Sequence, residues 1–171
     1  MLTREEALKI LEEENTPPNV IEHCEAVARK AVKIAERIKA QGHEVNVQLV
    51  ETGALLHDVG RAQSHGLDHG YMGGVILRGR GLKDYAHIAE RHIAAGLSKQ
   101  EAKRAGLPPK EYLPQTLEEK IIANADNLIA GTHPVPLKAT IQKLRDERVP
   151  EESISRVSEL YAEIEALASS T

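Results

Sequence analysis

Six side chains of this 171-residue chain are of types that ligate metal ions, yet they fall where a helix would otherwise place aliphatic ones: His23, His57, Asp58, His69, His92 and Asp126. His57 and Asp58, in "LLHDVGR", continue the stripe Val47, Val50, Ala54 by steps of three and four, which aims the pair at the interior. An inward carboxylate is unfavourable unless it is paired, hydrogen-bonded or bound to a cation, and the neighbouring imidazole points to a metal. His23 borders an apolar stripe between Val20 and Val27, and Asp126 does the same between Ile122 and Ile129. His92 follows Tyr85 and Ala89, and His69 precedes Met72 and Ile76, so both face inward with those residues. Taken singly, a histidine at a stripe edge is more often a hydrogen-bonded packing residue, and Asp126 alone could pair with Lys120. Six such groups arriving from separate helices are better explained by one cation site.

The other histidines act as controls. His43, His87 and His133 fall on loops or outward faces, whereas His65 stands just before His69 and is its alternative as a ligand. Cys24 lies on an apolar stripe and reads as a small core residue.

The elements that must carry these groups are helical. Thr3 with Glu6, Ser98 with Glu101 and Thr116 with Glu119 are capping boxes, Asn19 with Glu22 repeats the pattern, and Asn46 and Asp68 are further start signals. The spacing predicts helices ending before Thr16, at Gly42, at Gly60, at Leu77, at Ala95, before Gly106 and at Gly131, then two more over 137–147 and about 151–168. No stretch alternates with period two. The expectation is an all-α single domain, 1–171, of about seven or eight helices, with the core over about 19–131 and the C-terminal helices over 137–168 packed on it.

Composition narrows the functions. A formal net charge of −4 gives no support for binding long nucleic acid by counterion release. With no Phe or Trp and four Tyr, platforms for base stacking are scarce. One cysteine, no leader pattern and no apolar run of about 20 residues lead us to expect a cytoplasmic protein without a membrane partner. The amphipathic last helix offers a homodimer surface as readily as a lid on the core.

His23, then His57-Asp58 in "HDVG", then Asp126 in "ANADNLI" resemble, in that order, the signature of the HD-domain superfamily of metal-dependent phosphohydrolases, over about residues 19–131. "DHGYMGG" and "AERHIAAG" look like the two extra histidine segments of its two-metal subgroup, which includes HD-type diadenosine tetraphosphate hydrolases and, more distantly, HD-GYP cyclic-dinucleotide phosphodiesterases. The Gly-Tyr-Pro motif of the latter is absent, and Arg61 stands where many members carry Lys. The resemblance implies an all-α HD-type helical bundle in which Asp58 bridges two ions, with His23, His57 and Asp126 around one and His69 and His92 around the other. It also implies hydrolysis of a phosphate ester or diester of a nucleotide or other small molecule. A one-metal nucleotidase, a di-iron oxygenase and a non-catalytic binding module are the alternatives within the superfamily. Mixed imidazole and carboxylate ligation favours Fe or Mn first, with Ni, Co, Zn or Mg as alternatives. Asp58 and Arg61 are the expected catalytic groups, the latter as a fork on a phosphate oxygen, and Arg78, Arg80, Lys83 and Arg91 are weaker candidates for binding a small phosphorylated substrate.

Overall fold

The computed structural model describes residues 1–169. In chain order the elements are α1 (Arg4–Glu13), α2 (Pro18–Ala40), α3 (Val47–Leu56), a 3-10 turn (Val59–Ala62), α4 (His69–Gly79), α5 (Lys83–Glu90), α6 (Lys99–Arg104), α7 (Leu117–Asp126), β1 (Ile129–Ala130), β2 (His133–Pro134), α8 (Leu137–Asp146) and α9 (Glu151–Ala168). The class is all-α, with nine α-helices among the described residues where seven or eight were expected. The only strands there are the two-residue β1 and β2, which pair antiparallel across the turn at Gly131.

Local chemistry sets many of the boundaries. All three capping boxes form, and the Asn46 side chain accepts from the amide of Leu49. Gly42 and Gly106 end their helices with positive φ. The start of α2 differs from expectation: Pro18 occupies its first turn, where a missing N–H loses nothing, and no side chain caps it. Asp68 precedes α4 but does not cap it, because its Oδ1 takes the Ser64 hydroxyl at 2.5 Å.

α2 is the centre of the bundle, in contact with α3, α7 and α9. Its face of Val27, Ala31, Ile34 and Ile38 meets Leu55 and Leu56 of α3, Ile121 and Ile122 of α7 and Ile164 of α9 in one aliphatic core. Each fully buried Leu or Ile there stabilises the fold by about 1.5–3 kcal/mol. A second, small cluster of Ala102, Leu107 and Tyr112 seats α6, with Tyr71 and Leu97 against it. Among the described residues no helix is long and apolar enough to cross a membrane.

Three helices stop early. The apolar pattern runs on to Gly60, Ala95 and Gly131, but α3, α5 and α7 end at Leu56, Glu90 and Asp126. In each case the chain leaves the helix where one of the six candidate ligands must be presented.

Candidate metal centre

His57, the C-cap of α3, is completely buried, and Asp58 after it is 3% exposed. The turn that follows lies directly against α4, since a Cβ on Gly60 would sit 1.8 Å from the carbonyl oxygen of His69. Only glycine lets the two backbones approach that closely. That contact sets Asp58 beside His69, the first residue of α4. α5 packs on α4 and hands over His92 just past its end, while α2 and α7 supply His23 and Asp126 from the other side.

All four imidazoles are held in the same way. Nδ1 of His57, His69 and His92 donates to the carbonyl three residues earlier, Ala54 at 2.6 Å, Gly66 at 2.7 Å and Ala89 at 2.6 Å. His23 Nδ1 donates to the Gly131 carbonyl at 2.6 Å. A carbonyl can only accept, so each ring carries a proton on Nδ1, and Nε2 is the nitrogen left to meet a cation or take a second proton.

The four Nε2 atoms converge on two carboxylates. Asp126 Oδ1 lies 2.9 Å from His23 Nε2 and 3.4 Å from His57 Nε2, and Asp58 Oδ2 lies 3.8 Å and 3.6 Å from the same two atoms. Asp58 Oδ1 faces the other way, 3.2 Å from both His69 Nε2 and His92 Nε2, which are themselves 3.1 Å apart. The cluster therefore has two lobes that share Asp58.

These residues fit a divalent metal. His57 Nε2 and Asp58 Oδ1 are buried with no hydrogen-bond partner among the described residues, which is unfavourable unless a cation or proton meets them. Two lone pairs facing at 3.1 Å, as on His69 and His92, repel unless positive charge lies between or beside them. Metal bonds of about 2.1 Å separate neighbouring donors by about 3.0 Å in an octahedron and 3.4 Å in a tetrahedron, which matches the spacing here. The triads His23, His57, Asp126 and His57, Asp58, His92 both have their donor atoms within 4.8 Å of one another.

The electrostatics favour positive charge. Burial alone would depress His57, but Asp58 and its other neighbours raise it well above its ordinary value. Burial would likewise raise the carboxyls of Asp58 and Asp126, but His57 foremost holds both well below the usual carboxylate range. His92 goes down, because burial dominates and His57 repels a second proton.

Beside the cluster lies a cavity of about 650 Å³, a size typical of small-molecule sites. His23, Asp58, His69, His92 and Asp126 form one end of it, and Arg61 stands at the rim with its Nε donating to Asp58 Oδ2 at 3.1 Å. The other walls come from the loop after α5, α6, the β1–β2 turn and α8, with aliphatic surface from Ile93, Leu97, Ile129, Val135 and Leu144.

The structure thus brings together all six candidate ligands and Arg61, and it places His69 rather than His65 in the cluster, His65 being exposed. The weaker substrate candidates are not brought there. Arg78 forms a two-pronged pair with buried Glu90 at 2.5 and 2.7 Å, Arg80 binds Glu13 and Glu14, Arg91 binds Glu119, and Lys83 is exposed; none of the four lines the cavity. The three arginine charges are taken up by carboxylates that hold helices together. Sequence reasoning missed Asn127, Thr140 and the Gly131 carbonyl, because a backbone partner and a short polar residue past a helix end leave no periodic signal.

The HD-domain family model matches residues 20–131, a span that opens just before His23 and closes at the Gly131 that holds its ring. The chain belongs to the HD-domain family. An uncharacterized protein of Methanocaldococcus jannaschii is 50% identical over 166 residues, covering 95% of this chain and 97% of that one. Two relatives are named tRNA (cytidine(56)-2'-O)-methyltransferase. That of Picrophilus torridus is 35% identical over 164 residues, 95% of this chain and 46% of the relative, and that of Thermoplasma volcanium is 40% identical over 143 residues, 83% and 40%. This HD-domain chain therefore spans less than half the length of either methyltransferase. No solved structure matches it.

Proposed function

We propose that this HD-domain protein is a metal-dependent phosphohydrolase that cleaves a phosphate ester or diester of a nucleotide or similar small molecule. The observation that carries the reading is the convergence of four Nδ1-anchored imidazoles on two carboxylates, with buried His57 Nε2 and Asp58 Oδ1 left for a cation. His23, His57, Asp126 and Asp58 Oδ2 would hold one ion, and Asp58 Oδ1, His69 and His92 a second. Divalent ions held there supply an attacking hydroxide at neutral pH and offset the charge of the phosphoryl group. The protein's own residues then have three tasks. The carbonyls of Ala54, Gly66, Ala89 and Gly131 hold a ring proton at Nδ1, so that every Nε2 is the nitrogen turned toward the cation. Arg61, tied by one nitrogen to Asp58, offers the rest of its guanidinium to a non-bridging phosphate oxygen. The aliphatic cavity wall excludes water from the reacting end and accepts the body of the substrate.

The methyltransferase relatives, named for work on tRNA, support a nucleotide-derived phosphate over a sugar phosphate. Donor chemistry favours Fe or Mn. The test is a screen of the purified protein against phosphate esters with Mn, Fe, Ni and Mg in turn, with metal content measured on the same samples. Wild type is expected to hold metal and release phosphate or a nucleoside phosphate. Asp58→Asn should lose more than about 100-fold in both metal affinity and turnover, beyond the loss seen for groups that only orient a ligand. Full metal content and activity in Asp58→Asn, or oxygen consumption in place of phosphate release, would overturn the reading.

A further inference from the structure

We propose that Asn127 is a positioning residue that fixes His92 relative to Asp126, so that one side chain sets the spacing of the two lobes of the cluster; this rests on the metal-dependent reading above. Asn127 directly follows Asp126 as the C-cap of α7. Its φ of −62° and ψ of −16° are ordinary right-handed values, so the backbone has no need of an asparagine there. The side chain is engaged elsewhere: Nδ2 donates to the carbonyl of Ala94 at 2.8 Å, across 33 residues of sequence.

Ala94 is two residues past His92 and has a φ of 53°. A residue with a Cβ takes that left-handed conformation only where its surroundings impose it, and such residues gather at sites of function. The His92 ring is anchored on the α5 side by the Ala89 carbonyl, and the path of the backbone from 92 to 94 is the second constraint on where its Nε2 lies. The loop is next held at Gly96, whose carbonyl accepts from Arg156 at 3.2 Å. Between those anchors, Asn127 holds the strained peptide. Arg91 and Glu119, at 2.8 and 3.0 Å, already tie α5 to the start of α7, so the Asn127 bond is not needed merely to keep those two helices together. Asn127 also accepts the Thr140 hydroxyl of α8 at its main-chain carbonyl, and both residues line the cavity. Loss of the Nδ2 donor would let Ala94 relax and carry His92 away from Asp58 Oδ1, leaving the lobe of His23, His57 and Asp126 in place.

The test is a calorimetric titration of Mn²⁺ into metal-free wild type, Asn127→Ala and Asn127→Asp, with thermal unfolding of each metal-free protein. Asn127→Asp keeps the shape, lacks the donor and adds a negative charge that on its own would strengthen cation binding. Wild type is expected to take up two ions. Both variants should bind the first at least as tightly as wild type and the second about 10- to 100-fold more weakly, the size of effect seen when a group orienting a metal ligand is removed. Their metal-free unfolding temperatures should stay close to wild type. Wild-type binding of both ions in the two variants, loss in Asn127→Ala alone, or loss of both ions together with early unfolding would each overturn the assignment. Failure of wild type itself to bind Mn²⁺ would instead overturn the metal-dependent reading, and the role of Asn127 with it.

Discussion

Each clustered imidazole has one nitrogen bound to a backbone carbonyl, so the free nitrogen of every ring is aimed by main-chain geometry and needs no second side chain. Arg61 differs in that its one bond to the cluster, to Asp58 Oδ2 at 3.1 Å, leaves the other nitrogens of its fork without a partner among the described residues, beside the cavity. Arg61→Lys should keep the metal content of wild type while kcat/KM against the best phosphate ester falls at least about 10-fold, because an ammonium carries the charge without the planar fork. Parallel metal analysis and steady-state rates check this. At this scale the sequence was legible: the type and inward phase of His23, His57, Asp58, His69, His92 and Asp126 were enough to group them. Arg78, Arg80 and Arg91 were misread because charge next to a ligand segment says nothing of the carboxylate that claims it, here Glu90, Glu13 with Glu14, and Glu119.

Among the elements, the turn Val59–Ala62 and α4 meet backbone to backbone at Gly60. Gly60→Ala should therefore destabilise the protein by about 1–3 kcal/mol or more, the range for overpacking a closed contact, and should weaken metal binding through displaced His69. Urea unfolding of the metal-free protein and metal titration of the folded fraction separate the two effects. Helix starts were readable from Thr3, Asn46, Ser98 and Thr116, whose caps all form. Helix ends at the site were not. Periodicity assumes that a helix continues while its inward positions stay apolar, and it cannot register that His57 and His92 serve better where the helix has just stopped, or Asp126 at its last residue.

Across the whole molecule, Glu101 joins α6 to α9 in the wall of the cavity. Its carboxylate accepts the Ser153 hydroxyl at 2.7 Å and the Arg156 guanidinium at 2.5 Å. Burial would raise this carboxyl, but Arg156, Ser153 and the Ser98 amide hold it below its ordinary 4.5. A carboxyl lowered in the folded state contributes stability above its unfolded value, and that contribution is lost as pH falls through the lowered folded value. Glu101→Gln should thus unfold more readily than wild type by about 1–3 kcal/mol near neutral pH, and the gap should close as pH falls below 4.5. Denaturant unfolding at a series of pH values measures it.

α8 contains no buried residue, although Thr140, Lys143 and Leu144 look into the cavity. Deuterium should consequently replace its amide protons far sooner than those of α2, whose inner face is wholly enclosed. A non-hydrolysable phosphonate that fills the chamber should slow uptake along 137–146 and leave α2 unchanged, making this one helix a built-in reporter of occupancy.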